Sequence, residues 1–373
     1  MAKLGDIATY VNGYAFKPSD WSNEGLPIIR IQDLTGNSYQ ANRYNGIYHS
    51  KYEVNDGDVL ISWSASLGVY IWKGEKAVLN QHIFKVVFDK AEVDKSFFVH
   101  QVQNILENAS SEAHGATMKH LTKPVFDALP FYLPSIEKQR EIAATLDRVS
   151  ELIALRKEQL EKLDQMVKSR FIEMFGDPIR NEKGWPIATL GEVAEIRIGP
   201  FGSLLHKEDY IVGGHALVNP SHIIDGNICT DDKLTVSDEK YEELSAYRLS
   251  IGDLVLGRRG EMGRCAVVYE EGLLCGTGSI IIRPNNKMKP YFLQNIISSP
   301  GYRKIIEDKA VGVTMMNLNV PIVSSLTIPL LPIDMQERFI AFMQQTDKSK
   351  LTIQQSLDEL QLLKKSLMQQ YFG

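Results

Sequence analysis

The feature that most constrains this chain is that its sequence repeats itself once. Three motifs occur twice in the same order: LGDIA and LGEVA at 4–8 and 190–194, GDVL and GDLV at 57–60 and 252–255, and GATM and GVTM at 115–118 and 312–315. Each copy is several times longer than a solenoid repeat. The pattern therefore predicts a duplicated domain rather than a stacked array.

The distance between matching residues divides each copy into two parts. It grows from 186 residues at the first motif (190 minus 4) to 197 at the third (312 minus 115), and then stays constant to Gly176 and Gly373. Insertions accumulate in loops, whereas a packed element of fixed geometry does not absorb them. We therefore expect a loop-rich front module followed by a rigid rear module in each copy.

The rear modules have the pattern of long helices. After Pro134 and Pro332, neither copy contains Pro or Gly before a terminal Gly176 or Gly373, and such a glycine is a typical helix stop. Apolar residues alternate at spacings of three and four, as in a coiled coil. The predicted seam comprises Leu146, Val149, Ile153, Leu160, Leu163, Val167, Met343, Ile353, Leu357, Leu360 and Leu367.

Charged residues interrupt the seam at different places in the two helices. Arg156 and Arg170 are the interruptions in the first helix, and Lys350 and Lys364 are those in the second. Each helix is apolar where the other copy is charged, which favours pairing of the two helices with each other. The alternative is two separate amphipathic helices, each lying on its own domain. A helix of about 40 residues spans about 60 Å, longer than one small domain needs.

The front modules have the pattern of short strands. Runs of β-branched and aromatic residues, such as those at 58–62 and 253–256, alternate with Gly, Asn and Asp clusters. We expect strands there, with helices near 95–108 and 290–307, and hence an α+β module with a mixed or antiparallel sheet. The predicted boundaries are 1–134 for the first front module, 135–176 for its helix, 177–332 for the second front module and 333–373 for its helix.

Composition limits the class of protein. The chain has 41 Lys and Arg against 46 Asp and Glu, a net charge of −5, so any DNA binding must come from local patches or from partners. Three cysteines without a CxxC motif fit a reducing cytoplasm. No apolar run approaches the ~18 residues that a membrane span needs.

Five pairs of motifs resemble a known family. They are LGDIATYVNGYAF and LGEVAEIRIGPFGS, DGDVLIS and IGDLVLG, GATMKHL and GVTMMNL, FYLPSIEKQREIAATLD and IPLLPIDMQERFIAFM, and KSRFIEMFG and KSLMQQYFG. With these motifs, the chain resembles the specificity (S) subunit of Type I restriction-modification systems over essentially its whole length.

The resemblance implies both an architecture and a role. The implied fold is α+β, with two pseudo-symmetric target-recognition domains separated by two long helices packed as an antiparallel coiled coil. Each domain would read one half of a bipartite, asymmetric site in double-stranded DNA, and the helices would dock two methyltransferase (M) subunits. The resemblance also implies that this chain performs no chemistry, holds no cofactor, contacts no membrane and is located in a prokaryotic cytoplasm.

The resemblance assigns the chemistry to partner subunits. The M subunits would methylate adenine with S-adenosylmethionine. Where the system also cuts DNA, restriction (R) subunits, up to two of them, would use ATP and Mg.

Candidate DNA-contacting residues follow from residue type and loop position. The densest basic cluster is Arg258, Arg259 and Arg264, beside glycines after a predicted strand. The other candidates are Tyr14, Phe16, Lys17, Arg30, Trp63, Ser64, Thr117, Lys119, His120, Phe201, Ser203, His206, Thr314, Asn317 and Asn319. Each has an ordinary alternative, since an exposed arginine is usually a solvated charge and Trp63 suits a core. Some would contact only phosphate, which carries no sequence information.

The sequence contains few motifs that would indicate an enzyme. It has no Walker A loop, HExxH motif or complete GxGxxG motif, and its eight histidines do not cluster at ligand spacing, so we expect neither a catalytic nor a metal site. Two classes remain: a non-catalytic DNA-recognition subunit, and a coiled-coil adaptor or scaffold whose modules bind proteins. A fused nuclease or methyltransferase would need the missing motifs.

Overall fold

The computed structural model describes residues 1–37, 42–64, 66–112, 122–201, 204–260, 262–312 and 317–373, without the side chains of 110–112. The candidates Thr117, Lys119, His120, Ser203 and Thr314 lie outside the described residues. The chain divides into two compact units, one of Met1–Gln159 with Ile353–Gly373 and one of Leu160–Thr352.

The first unit begins with the first front module. Its elements are β1 (Ala2–Lys3), α1 (Leu4–Ile7), β2 (Thr9–Asn12), β3 (Leu26–Ile29), α2 (Ile31–Leu34), β4 (Arg43–Tyr44), β5 (Glu53–Val54), β6 (Val59–Ser62), β7 (Gly68–Ile71), β8 (Ala77–Leu79), β9 (Ile83–Val87), α3 (Lys95–Glu112), α4 (Lys123–Asp127), β10 (Pro130–Phe131) and the start of α5 (Ile136–Phe175).

Two four-stranded sheets form the body of this module as described. One is antiparallel in the order β2-β9-β6-β7, and the other, β4-β3-β8-β5, is mixed because β3 and β8 run parallel. Successive side chains of a strand point to opposite faces. Accordingly, Ile61 of β6 packs with Phe97 of α3 and Leu146 of α5, whereas Leu60 packs against Ile29 and Leu79 of the mixed sheet.

The second unit contains the second front module. Its elements are β11 (Ile187–Thr189), α6 (Leu190–Val193), β12 (Ala194–Ile198), β13 (Tyr210–Ile211), β14 (His215–Val218), β15 (Ile223–Ile224), β16 (Asn227–Ile228), β17 (Thr235–Val236), α7 (Asp238–Glu243), β18 (Leu254–Gly257), β19 (Cys265–Val267), β20 (Leu274–Cys275), β21 (Ser279–Pro284), α8 (Pro290–Ser298), α9 (Pro300–Lys309), α10 (Val320–Ser324), β22 (Thr327–Pro329) and the start of α11 (Ile333–Phe372).

The second module repeats the topology of the first. Its antiparallel sheet has the order β12-β21-β18-β19, and β14 pairs in parallel with β20 as β3 does with β8. Gly13 and Gly199 match in the repeat, and each lies too close to a backbone carbonyl to carry a side chain. A Cβ on Gly13 would lie 2.0 Å from the Asn80 carbonyl oxygen, and one on Gly199 would lie 2.2 Å from that of Gly276. The predicted α+β duplication is confirmed.

In the first unit, α5 and α11 pack against each other in opposite directions. Leu146, early in α5, shares a hydrophobic cluster with Met368 near the end of α11. Further along α5, Arg156 Nε donates a hydrogen bond to Ser356 Oγ at 3.2 Å. The residue number therefore rises along one helix as it falls along the other.

The two long helices also run in opposite directions within the second unit. Phe175, at the end of α5, lies 5.5 Å from Phe339 near the start of α11, measured between ring centroids. Asp164, earlier in α5, forms an ion pair with Lys350, later in α11. The predicted pair of long helices is confirmed, and the alternative of two helices lying separately is wrong.

The predicted seam residues are buried or half-buried, Leu146, Val149, Met343 and Leu357 most fully. Arg170 departs from its predicted seam position. It is exposed and pairs with Glu173 on its own helix at 2.8 Å, because a long charged side chain gains more from water than from an apolar seam.

Two further observations concern the cysteines and the search for membrane-spanning helices. All three cysteines are free, Cys229 exposed and Cys265 and Cys275 buried. Within the described ranges, no helix combines the length and the apolar character needed to cross a bilayer.

Candidate nucleic-acid interface

The loop after β18 carries Arg258 and contacts the segment of the second module that carries Asn317. The Arg258 backbone N–H donates to the Gly278 carbonyl at 3.0 Å, and its own carbonyl accepts from Leu318 N–H at 3.1 Å. Its side-chain Nε donates to Asn317 Oδ1 at 3.0 Å. The structure therefore brings together Arg258 and Asn317, which are 59 residues apart in sequence.

The adjacent arginines of this loop differ in environment. The Arg258 side chain is buried, whereas Arg259 is exposed. Burial, reinforced by the positive charge of Arg259, lowers the pKa of the Arg258 guanidinium. Arg258 thus holds the loop together from inside, and Arg259 offers a cation at its surface.

Two further candidates border this loop. The backbone carbonyl of Arg264 accepts from Gly257 N–H at 2.9 Å, which closes the turn between β18 and β19. Asn319 is exposed, and its Oδ1 accepts from Ile322 N–H at 2.9 Å as the N-cap of α10. Asn319 therefore caps α10 directly after Leu318, whose N–H bonds to the Arg258 carbonyl.

The corresponding loop of the first module presents an aromatic side chain. Trp63 occupies the place of Arg258, because its N–H donates to the His82 carbonyl at 3.2 Å as that of Arg258 donates to Gly278. Its ring stacks on Phe84 at 5.6 Å, and its Nε1 donates to Asn12 Oδ1 at 3.2 Å. The two modules therefore carry unlike residues at equivalent positions.

A second group of candidates in the first module is aromatic. Tyr14 is exposed and contacts Phe16 and Tyr52 edge-on, with ring centroids at 4.9 and 5.5 Å. Phe16 is buried and packs on Tyr44 at 5.0 Å. Lys17 is exposed at the start of the following turn, where its N–H donates to Asp20 Oδ2.

The remaining candidates are dispersed. Arg30 is half-buried over the Trp21 ring, with its Nε 3.6 Å from Asp33 Oδ2. Phe201 and His206 are exposed in the second module. Ser64 is buried.

The expectation of an exposed side chain is wrong for Arg258, Phe16 and Ser64. For Arg258 and Phe16 the contacts come in part from other segments of the chain, Asn317 and Tyr44, which residue type and loop position do not indicate. Their part in DNA recognition stays a prediction.

Each unit also has a cleft beside the helix pair. In the first unit a cleft of about 560 Å³ is lined by His100 of α3, Ile153 of α5 and Lys365 of α11. In the second unit a cleft of about 840 Å³ is lined by Gln294 of α8, Lys168 of α5 and Lys350 of α11.

The two clefts occupy equivalent places in the repeat, with the two helices exchanged. Lys168 corresponds to Lys365 and Ile153 to Lys350, both at the constant separation of 197 residues. In the second cleft, Gln294 Oε1 and Ser298 Oγ are buried and have no hydrogen-bond partner among the residues that the structure describes.

The candidates predicted from the sequence do not include a matched pair of buried glutamines, although the two match in the repeat. Gln139 and Gln336 lie in the first turns of α5 and α11 and are 1% and 0% exposed. Their identical place in the repeat was a signal that could have identified them, because an amide buried in both copies must have partners.

The geometry defines a class of protein: two copies of one α+β module, each continuing into a long helix, with unlike side chains on equivalent loops. The family model of the Type I restriction modification DNA specificity domain matches residues 1–165 and 182–362. The chain belongs to this family.

Particular relatives are specificity subunits. The chain is 24% identical over 370 residues to the Type I restriction enzyme EcoBI specificity subunit of Escherichia coli, covering 92% of this chain and 78% of that protein. It is 20% identical over 391 residues to the MjaVIII specificity subunit of Methanocaldococcus jannaschii, covering 99% of this chain and 90% of that protein.

Solved structures share the fold. The Type I restriction-modification S subunit from M. genitalium is similar with a TM-score of 0.60 and 15% identity, covering 100% of this chain and 95% of that one. A chain from a structure on complex assembly and conformational transition of the Type I system is similar with a TM-score of 0.59 and 18% identity, covering 100% and 96%.

Proposed function

We propose that this chain is the DNA sequence-recognition subunit of a Type I restriction-modification complex, each module reading one half of a bipartite, asymmetric site. The observation that carries the proposal is the duplicated module whose equivalent loops carry unlike side chains, Trp63 and Ser64 in the first copy and Arg258 with the exposed Arg259 in the second. Two related readers on one chain read two half-sites at a set spacing. Because the modules differ in sequence, the half-sites would differ too.

The proposed subunit recognises DNA without performing chemistry. S-adenosylmethionine would bind in the methyltransferase partner, and ATP and Mg in a restriction partner where the system has one. Membership of a specificity-domain family supports this division of labour.

The first experiment tests this assignment with purified components. The chain alone, incubated with genomic DNA and labelled S-adenosylmethionine, should transfer no methyl group. Addition of its methyltransferase partner should produce adenine methylation at one bipartite sequence, mapped by single-molecule sequencing. If the partner methylates the same sites without the chain, or no site with it, the proposal fails and an adaptor role that binds proteins is favoured.

The two equivalent clefts are the proposed seats of two methyltransferase subunits. Their matched lining supports binding of two copies of one partner, since repeated surfaces accept repeated ligands. Lys168 and Lys365 are exposed and line one cleft each, so an acidic segment of the partner would complement both.

A charge reversal tests the seats one at a time. Lys168→Glu and Lys365→Glu should each lower the number of bound methyltransferase subunits from two to one, as measured by native mass spectrometry. Lys157→Glu, at an exposed position of α5 outside both cleft linings, is the matched control. Retention of two subunits by both cleft variants would show that the partner docks elsewhere.

A further inference from the structure

The buried glutamines join each long helix to its own module. Gln139 Oε1 accepts from Asp94 N–H at 2.9 Å, and its Nε2 donates to the Pro134 carbonyl at 2.9 Å. Asp94 is the residue immediately before α3. The side chain of Gln139 therefore joins the first turn of α5 to the start of α3.

The second copy contains the same connection. Gln336 Oε1 accepts from Lys289 N–H at 2.8 Å, and its Nε2 donates to the Leu331 and Lys287 carbonyls at 2.8 and 3.1 Å. Lys289 is the N-cap of α8, as Asp94 precedes α3. Both amides thus use their donor and acceptor on the same parts of the repeat.

A second polar contact lies further along each long helix. Asp147 of α5 accepts from Ser96 Oγ at 2.7 Å and lies 2.7 Å from His100 Nε2. Asp347 of α11 accepts from the Tyr291 hydroxyl at 2.8 Å. Ser96 and His100 belong to α3, and Tyr291 to α8, so each module helix is held to its long helix at two separate points.

Contacts at two separate points fix the angle between a module helix and its long helix, whereas a single contact would allow the module to rotate. Apolar packing alone is non-directional, whereas hydrogen bonds to a buried amide require a defined geometry. We propose that Gln139 and Gln336 are positioning residues that fix the angle at which each module leaves its helix, and thereby the half-site spacing that the subunit accepts. This inference rests on the proposed function for its effect on DNA.

The spacing experiment compares methylation of targets whose spacer differs by one base pair in either direction. Gln139→Met and Gln336→Met keep the length and apolar part of the side chain but remove its hydrogen bonds. We expect discrimination between the preferred spacer and its neighbours to fall about tenfold, because each substitution removes at least two hydrogen bonds of the buried amide. Thr145→Ala is the control, because its hydroxyl donates to the Glu141 carbonyl of its own helix and so does not join helix to module.

A merely structural role gives a different result. It would lower methylation equally at every spacer, and that outcome overturns the inference. Ser96→Ala and Tyr291→Phe provide milder variants should the methionine variants fold poorly. Both variants keep the glutamine bonds. Tyr291→Phe removes the bond to Asp347, and Ser96→Ala removes the serine bond to Asp147 but keeps the His100 contact. We expect the same loss of discrimination at smaller size.

A DNA-free measurement separates this inference from the proposed function. Spin labels at Lys73→Cys and Arg148→Cys, both exposed positions of the first unit, report the angle between module and helix in a Cys229→Ser background. The distance distribution should broaden in Gln139→Met and not in Thr145→Ala. An unchanged distribution overturns the inference, whereas absence of methylation by the wild-type complex overturns the proposed function alone.

Discussion

At the scale of single residues, Arg258 and Arg259 divide two tasks that sequence assigns to both. Arg258 is buried and bonded to Asn317, whereas Arg259 is exposed beside it. A buried guanidinium orders the loops that it joins, and an exposed one is free to approach a base edge or a phosphate. Substitutions at the two positions should therefore have different signatures.

Arg259→Ala should reduce methylation of the complex without changing its melting temperature. The reason is that an exposed side chain away from packing contributes little to stability, while a bidentate contact to a base is worth about 1–3 kcal/mol of discrimination. Arg258→Ala should reduce both, because it leaves Asn317 without its partner and costs about 1–3 kcal/mol of folding free energy.

The measurements are methylation rate and thermal unfolding of the same preparations. Arg180→Ala, with a side chain 75% exposed in the same unit, is the control and should change neither. Wild-type methylation by Arg259→Ala would exclude this residue from the DNA interface.

Residue environments were the least predictable part of the site. Residue type and adjacent glycines correctly indicated a loop after β18 but could not show that Arg258 turns inward, because its partner Asn317 lies in another loop of the chain. Gln139 and Gln336 were visible as a repeat match, yet their partners, Asp94 and Lys289, match no motif.

At the scale of elements, local pattern specifies the long helices but not the pairing of the short strands. Apolar spacing and terminal glycines predicted two helices, found at Ile136–Phe175 and Ile333–Phe372. The same reasoning located strands such as β6 and β18 but not how they pair with their neighbours, because strand pairing depends on residues far apart in sequence. The parallel pairing of β3 with β8 was not predictable from either strand alone.

Leu146→Ala tests the packing of α5 in the first unit. Leu146 is fully buried in the cluster shared with α11, so the substitution should cost about 2–5 kcal/mol of unfolding free energy. Leu155→Ala, on the same helix but 46% exposed, should stay within about 0.5 kcal/mol of wild type. Equal effects in a denaturant titration would contradict the proposed seam.

At the scale of the whole molecule, net charge limits how the chain meets DNA. A charge of −5 opposes the polyanion, and affinity from counterion release requires several Lys or Arg near phosphates. We expect the isolated chain to bind its site weakly, near the non-specific range of about 10⁻⁴–10⁻⁶ M at physiological salt. Most of the affinity would come from the methyltransferase subunits.

Fluorescence anisotropy with a labelled duplex carrying the mapped site checks this expectation. The isolated chain should bind weakly, and addition of the methyltransferase subunit should strengthen binding steeply. Nanomolar affinity of the chain alone in physiological salt would contradict it.

Exchange of one module is the most direct measurement of two independent readers on one chain. Residues 1–134 are replaced by the corresponding module of a relative with a different mapped site, and methylation by the assembled complex is sequenced across a genome. The account predicts that one half-site changes to that of the donor while the other half-site is retained. A complex that still methylates the original site, or that changes both half-sites, would contradict it.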